Sequence, residues 1–138
     1  MNTIYMVEDE ALLRELFEEY VKLIPNLQHL GSCADGRIAV DCVLEKKPDI
    51  LILDIRLPEI NGLELLTLLR RKLPDMHILI FTGSLDPSTV KMALDFDADG
   101  FVEKAYGLEE LKNAIMKVCK GEKYFSQGAD QIRKTLQS

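Results

Sequence analysis

Asp54 closes the apolar run Ile50-Leu51-Ile52-Leu53 and opens a turn, Ile55-Arg56-Leu57-Pro58-Glu59-Ile60-Asn61-Gly62. A carboxylate at the carboxyl end of a buried strand, where a parallel sheet keeps its ligand crevice, is badly placed for stability and well placed for chemistry. Three further apolar runs end in polar groups. The run from Ile4 to Val7 leads into Glu8-Asp9-Glu10, the run from His77 ends in Thr82-Gly83-Ser84, and the run from Gly100 ends in Glu103-Lys104. If all four ends meet at one edge, Glu8, Asp9 and Asp54 crowd together, and like charges ~4 Å apart repel by ~4 kcal/mol at an effective dielectric of about 20. A cation must then bind. Oxygen donors with no His or Cys among them favour magnesium or manganese over zinc. Lys104 adds a fixed positive charge and Thr82 a hydroxyl donor. A carboxylate with those neighbours can accept a phosphoryl group, because they bind and neutralise its equatorial oxygens during in-line transfer.

Each residue also has a bland reading. Glu8-Asp9-Glu10 alone is a solvated acidic helix start, Lys104 alone a surface lysine, Pro58 and Gly62 ordinary turn residues, and Arg56 and Ser84 exposed loop positions. Thr82 could simply end a strand, and Phe101 could be plain core. Their joint occurrence, in order, at successive strand ends is what favours the chemical reading.

Five cycles of short apolar run and amphipathic stretch position these groups. After the first strand, Leu13, Leu16, Phe17, Tyr20, Val21 and Ile24 fall at helical spacing, and Pro25 stops the helix. A weaker strand near Gln28 to Ala34 precedes a helix capped by Asp35 and carrying Ile38, Ala39, Cys42 and Val43 up to Pro48. Asn61 and Glu64 have the spacing of a capping box, with Leu65, Leu66 and Leu69 as the buried stripe before Pro74. Asp86-Pro87 starts a helix with a thin apolar face that runs to Phe96, and Leu108, Leu111, Ile115 and Val118 line the last one. Strands separated by helices cannot be joined by hairpins. The predicted fold is α/β, a flavodoxin-like, doubly wound, five-stranded parallel sheet of order 2-1-3-4-5 with helices on both faces.

At 138 residues, 47% of them hydrophobic, the chain is long enough for one core. Its 17 basic and 23 acidic residues give a net charge of -6, which argues against a nucleic-acid or anionic-membrane surface. No stretch approaches a membrane span, and Met1 leads into polar Asn2-Thr3 rather than a signal peptide, so a cytoplasmic protein is expected. Cys33, Cys42 and Cys119 lack zinc-site spacing and read as free buried thiols.

The constellation of Glu8-Asp9, Asp54 with Leu57-Pro58 and Asn61-Gly62, Thr82, Asp99-Gly100-Phe101 and Lys104 resembles the receiver domain of bacterial two-component response regulators. The resemblance spans residues 1–120 and leaves 121–138 as a linker or the start of an interdomain helix. It implies that Asp54 is the phosphoacceptor, that Asp9 and Asp54 ligate magnesium directly with Glu8 acting through water, and that the Arg56 backbone carbonyl is a further ligand. It also implies that Lys104 contacts the phosphoryl group, that Thr82 turns inward to it, and that Phe101 is the aromatic switch. The donor would be a sensor histidine kinase or a phosphotransfer protein, and the outcome a population shift rather than substrate turnover, so the protein is not expected to be an enzyme in the ordinary sense. Arg56 and Ser84 would flank the water that hydrolyses the phosphoaspartate and set its lifetime.

Many receivers follow the lysine with a cis proline. Here Ala105 stands there, and since a cis non-proline bond costs ~3 kcal/mol, a trans bond and an altered loop are predicted. The stretch Glu109-Glu110-Leu111, Ala114-Ile115, Val118, Gly121, Tyr124 and Ser126 is similar to receivers of the NarL/FixJ group, which precede a LuxR-type helix-turn-helix domain. No such domain follows Ser138. A truncated transcription regulator, reaching DNA only through that domain and able to form a homodimer on phosphorylation, is therefore expected ahead of a stand-alone receiver. An aspartyl-phosphate hydrolase would want a second carboxylate where Arg56 stands. A flavin-binding module would want a Ser/Thr- and Gly-rich loop where Glu8-Asp9-Glu10 stands. A pseudo-receiver is the nearest alternative, disfavoured because every chemical position is filled.

Overall fold

The computed structural model describes residues 2–138. In chain order the elements are β1 (Asn2–Val7), α1 (Ala11–Val21), β2 (Leu27–Cys33), α2 (Gly36–Lys46), β3 (Ile50–Leu53), α3 (Gly62–Lys72), β4 (His77–Thr82), α4 (Pro87–Asp95), β5 (Gly100–Glu103), α5 (Gly107–Cys119), β6 (Tyr124–Phe125) and α6 (Gln127–Gln137), with a 3-10 turn at Lys104–Tyr106. The sheet is parallel throughout, in the order β2-β1-β3-β4-β5-β6. The expected order 2-1-3-4-5 is thus present, extended by a sixth short strand.

Strand alternation divides the core between two layers. Ile50, Ile52, Leu79, Phe81 and Val102 pack with Phe17 and Val21 of α1 and with Leu111, Ala114, Ile115 and Val118 of α5. Leu51, Leu53, Ile78, Ile80 and Phe101 pack with Ala39 and Val43 of α2, Leu65, Leu66 and Leu69 of α3, Val90 and Ala93 of α4, and Ala129 of α6. Because both faces are covered, β3 reads as an unbroken apolar run.

The helix boundaries follow local chemistry. Asp35 caps α2 through the Arg37 N–H, and Asn61 caps α3 through the N–H groups of Leu63 and Glu64. The reciprocal capping box forms at Asp86 and Thr89, not at Asn61 and Glu64. Two predicted core positions are corrected: Leu16 is 42% and Ile38 51% exposed. A helix lying on a flat sheet buries an arc of roughly 100°, which α1 fills with Phe17 and Val21 and α2 with Ala39 and Val43.

The tail expected as linker or interdomain helix folds back onto the domain. β6 pairs with β5, Ala129 is fully buried, and Arg133 lies over the Phe125 ring at 4.9 Å. α6 packs on α4, β5 and β6 and sets Ala129 and Ile132 in the same apolar layer as Val90, Ala93 and Phe101. Gly128 permits the approach, because a Cβ there would stand 2.7 Å from Leu85 Cδ2 and 2.9 Å from Glu103 Oε2. Cys33, Cys42 and Cys119 are free thiols. No helix among the described residues is long and apolar enough to cross a membrane.

Candidate functional site

The register of the sheet sets the site. Val7 pairs with Leu53, Leu53 with Ile80, and Thr82 with Glu103, so Glu8, Asp54, Thr82 and Lys104 emerge at one carboxyl edge. The Asp54 N–H donates to the Val7 carbonyl at 3.1 Å and extends the ladder by one step, leaving Asp54 only 4% exposed. Its turn is tied down on both sides. Gly36 N–H donates to Glu59 at 3.0 Å, and at Gly62 a Cβ would lie 2.5 Å from the Ile55 carbonyl oxygen, so the chain passes there only as glycine.

Lys104 is the hub. Its ammonium donates to Asp54 Oδ2 at 2.8 Å, to Glu8 Oε2 at 3.0 Å and to Glu10 Oε1 at 3.3 Å. The other Asp54 oxygen, Oδ1, accepts from the Arg56 backbone N–H at 2.9 Å. Glu8 is buried, its Oε2 also accepts from the Glu10 N–H, and its backbone carbonyl accepts from the Arg14 guanidinium at 2.9 Å. Its Oε1 lies 2.9 Å from the ammonium but too obliquely for a hydrogen bond, and has no other partner.

Burial pushes the Glu8 carboxyl up to about 7, against the Lys104 and Glu10 hydrogen bonds that pull it down. Burial alone would lower the Lys104 ammonium. Its hydrogen bonds to Asp54 and Glu8 outweigh that and hold it above the usual lysine range.

Thr82 is fully buried and its hydroxyl oxygen accepts from the Ser84 N–H at 3.3 Å. Ser84 is half-buried. Arg56 is exposed, and its guanidinium pairs with Asp86 at 3.2 Å. Phe101 is fully buried, stacked on Phe125 at 6.5 Å between centroids, and its carbonyl accepts from the Ser126 N–H at 2.8 Å. The Lys104–Ala105 bond is trans, as are the other peptide bonds among the described residues, and a 3-10 turn follows it.

Oxygens of Glu8, Asp9 and Glu10 lie within 4.8 Å of one another. With Asp54 they set four carboxylates against one ammonium, an all-oxygen set with a buried Glu8 oxygen that accepts no hydrogen bond, and that chemistry suits a hard dication. Asp9, expected beside Asp54 as a direct ligand, is exposed and grouped with Glu8 and Glu10, while Asp54 turns Oδ2 to Lys104. In the sequence, Glu10 and Arg14 carry no role in the site and Asp86 only that of a helix start, which the structure keeps. Glu10 was visible in the acidic run, whereas nothing in the sequence signals that Arg14 reaches the Glu8 carbonyl or that Asp86 meets Arg56.

Comparison with known proteins gives the family of this fold. The profile of the response regulator receiver domain matches residues 4–116. The nitrate/nitrite response regulator NarL of Escherichia coli is 30% identical over 130 residues, covering 94% of this chain and 60% of NarL. VraR of Staphylococcus aureus is 25% identical over 88% of this chain and 58% of its own. The chain therefore spans about three fifths of these relatives. A LuxR-family two-component response regulator from an Aurantimonas species superposes with a TM-score of 0.88 at 27% identity, covering 100% of this chain and 99% of that one. NarL and a LuxR-family regulator are thus among its relatives, and the protein belongs to the response regulator receiver domain family.

Proposed function

We propose that Asp54 accepts a phosphoryl group from a phosphohistidine on a sensor histidine kinase or phosphotransfer protein, and that the modified domain regulates a LuxR-type transcription factor. The 2.8 Å contact between Lys104 Nζ and Asp54 Oδ2 carries this reading. It sets a buried carboxylate beside a fixed cation at the position where transferred charge must be neutralised. In this reading Asp54 Oδ is the nucleophile, Lys104 leaves its carboxylate partners to bind a phosphoryl oxygen, and Thr82 exchanges its bond with the Ser84 N–H for donation to another. Asp9, Asp54, Glu8 and the Arg56 carbonyl hold magnesium, with manganese as a substitute. The bound ion supplies charge neutralisation on the transferring oxygens. The protein catalyses only its own phosphorylation and dephosphorylation, with Arg56 and Ser84 tuning the lifetime.

Inward rotation of Thr82 is the step that reaches Phe101 on the neighbouring strand, and the changed face favours a homodimer. DNA is reached only through a separate helix-turn-helix domain, and the protein works in the cytoplasm. The test is incubation with magnesium and acetyl phosphate, followed by intact-mass analysis. The wild type gains one phosphoryl group and Asp54→Asn gains none. Equal labelling of the two would reject Asp54 as acceptor.

A further inference from the structure

We propose that Asp86 is a positioning residue for phosphoryl loss, acting by holding Arg56 in place; this rests on the phosphoacceptor reading of Asp54. Two loops border the acceptor, one after β3 and one after β4. Arg56 belongs to the first, and its backbone N–H holds Asp54 Oδ1 at 2.9 Å. Asp86 ends the second, two residues beyond Ser84 and four beyond Thr82. The Arg56–Asp86 ion pair at 3.2 Å joins the two loops with a long guanidinium side chain.

Asp86 is itself fixed. Its Oδ1 accepts from the Ser88 hydroxyl at 2.5 Å and from the Thr89 N–H at 2.9 Å, while its N–H donates to the Thr89 hydroxyl at 3.3 Å. Its other oxygen, Oδ2, is the one that takes Arg56. One carboxylate therefore caps α4 with one oxygen and restrains Arg56 with the other.

Phosphoryl loss is hydrolysis. A water oxygen bonds to phosphorus from the side opposite Asp54, the bond from phosphorus to the Asp54 oxygen breaks with its electron pair left on the carboxylate, and the proton of the water passes to solvent as inorganic phosphate leaves. In this proposal the water enters between the two loops. A guanidinium stretched across them narrows that path, and a released one opens it. Exposed pairs contribute at most about 1 kcal/mol, a factor of about five, so the effect on lifetime is bounded by that factor.

Asn at position 86 keeps the capping oxygen and removes the charge. In phosphorylated protein freed of acetyl phosphate, Asp86→Asn speeds the decay of the phosphorylated mass about two- to fivefold. Arg56→Ala speeds it at least as much, and the double variant decays no faster than Arg56→Ala. Salt of about 1 M, where screening acts over about 3 Å, accelerates the wild type more than it does Asp86→Asn. A thermal melt checks that α4 is intact, and Asp86→Ser, another good cap without charge, repeats the measurement.

Decay of Asp86→Asn at or below the wild-type rate overturns the inference alone. Equal acceleration by Asp86→Asn in the Arg56→Ala background does the same. Absence of any phosphoryl gain in the wild type overturns the phosphoacceptor reading and this inference with it.

Discussion

Lys104 shares its ammonium among Asp54, Glu8 and Glu10, and Asp9 adds a fourth acid nearby. Lys104 and the Arg14 guanidinium on the Glu8 carbonyl still leave four acids with surplus negative charge, so a dication that binds only the folded chain stabilises it. At about 100 times its dissociation constant, the gain is about 2.7 kcal/mol. Thermal melts should show magnesium raising the wild-type midpoint by several degrees. Asp9→Asn should melt above the wild type without magnesium, because one repelling charge is gone, and should gain little from the ion. A magnesium response equal in both proteins would show that Asp9 takes no part in binding. The positions of Asp54, Thr82 and Lys104 were legible because each ends an apolar run. Their partners were not, since Glu10, Arg14 and Asp86 act through side-chain reach, which no spacing rule encodes.

Among the elements, the tail departs furthest from expectation. β6 is only two residues long, and α6 is anchored by the close approach at Gly128, by the fully buried Ala129 and by Ile132 against the core, short signals that pattern alone does not tell from a linker. Its dock lies against the proposed switch. Phe125 stacks on Phe101, and Ser126 bonds both the Phe101 carbonyl and the Glu103 carboxylate, the latter at 3.2 Å. Ending the chain after Gly121 would expose the α4 and β5 surfaces that α6 covers. A urea titration should find the shortened chain less stable by on the order of 2 kcal/mol, the burial lost less the ordering entropy regained. An unchanged midpoint would mean that the tail is held without contributing to the core.

For the whole molecule, the sheet separates two apolar layers that share no helix. Val43 lies in one and Val118 in the other, both buried. Val43→Ala and Val118→Ala should each cost about 2 kcal/mol and, measured together by denaturant unfolding, sum to within about 0.5 kcal/mol. A clear departure from additivity would show that strain passes through the sheet. The sequence by itself determined the parallel α/β order, because unbroken apolar runs alternating with capped amphipathic stretches admit few windings. It also determined which residues stand at the strand ends, because strand boundaries are local. Only the tertiary structure decided that Lys104 holds three acids at once, that Arg56 meets Asp86, and that Phe125 of β6 stacks on Phe101. Those outcomes depend on how far side chains reach between elements distant in sequence, and on small residues whose value lies in the space they leave.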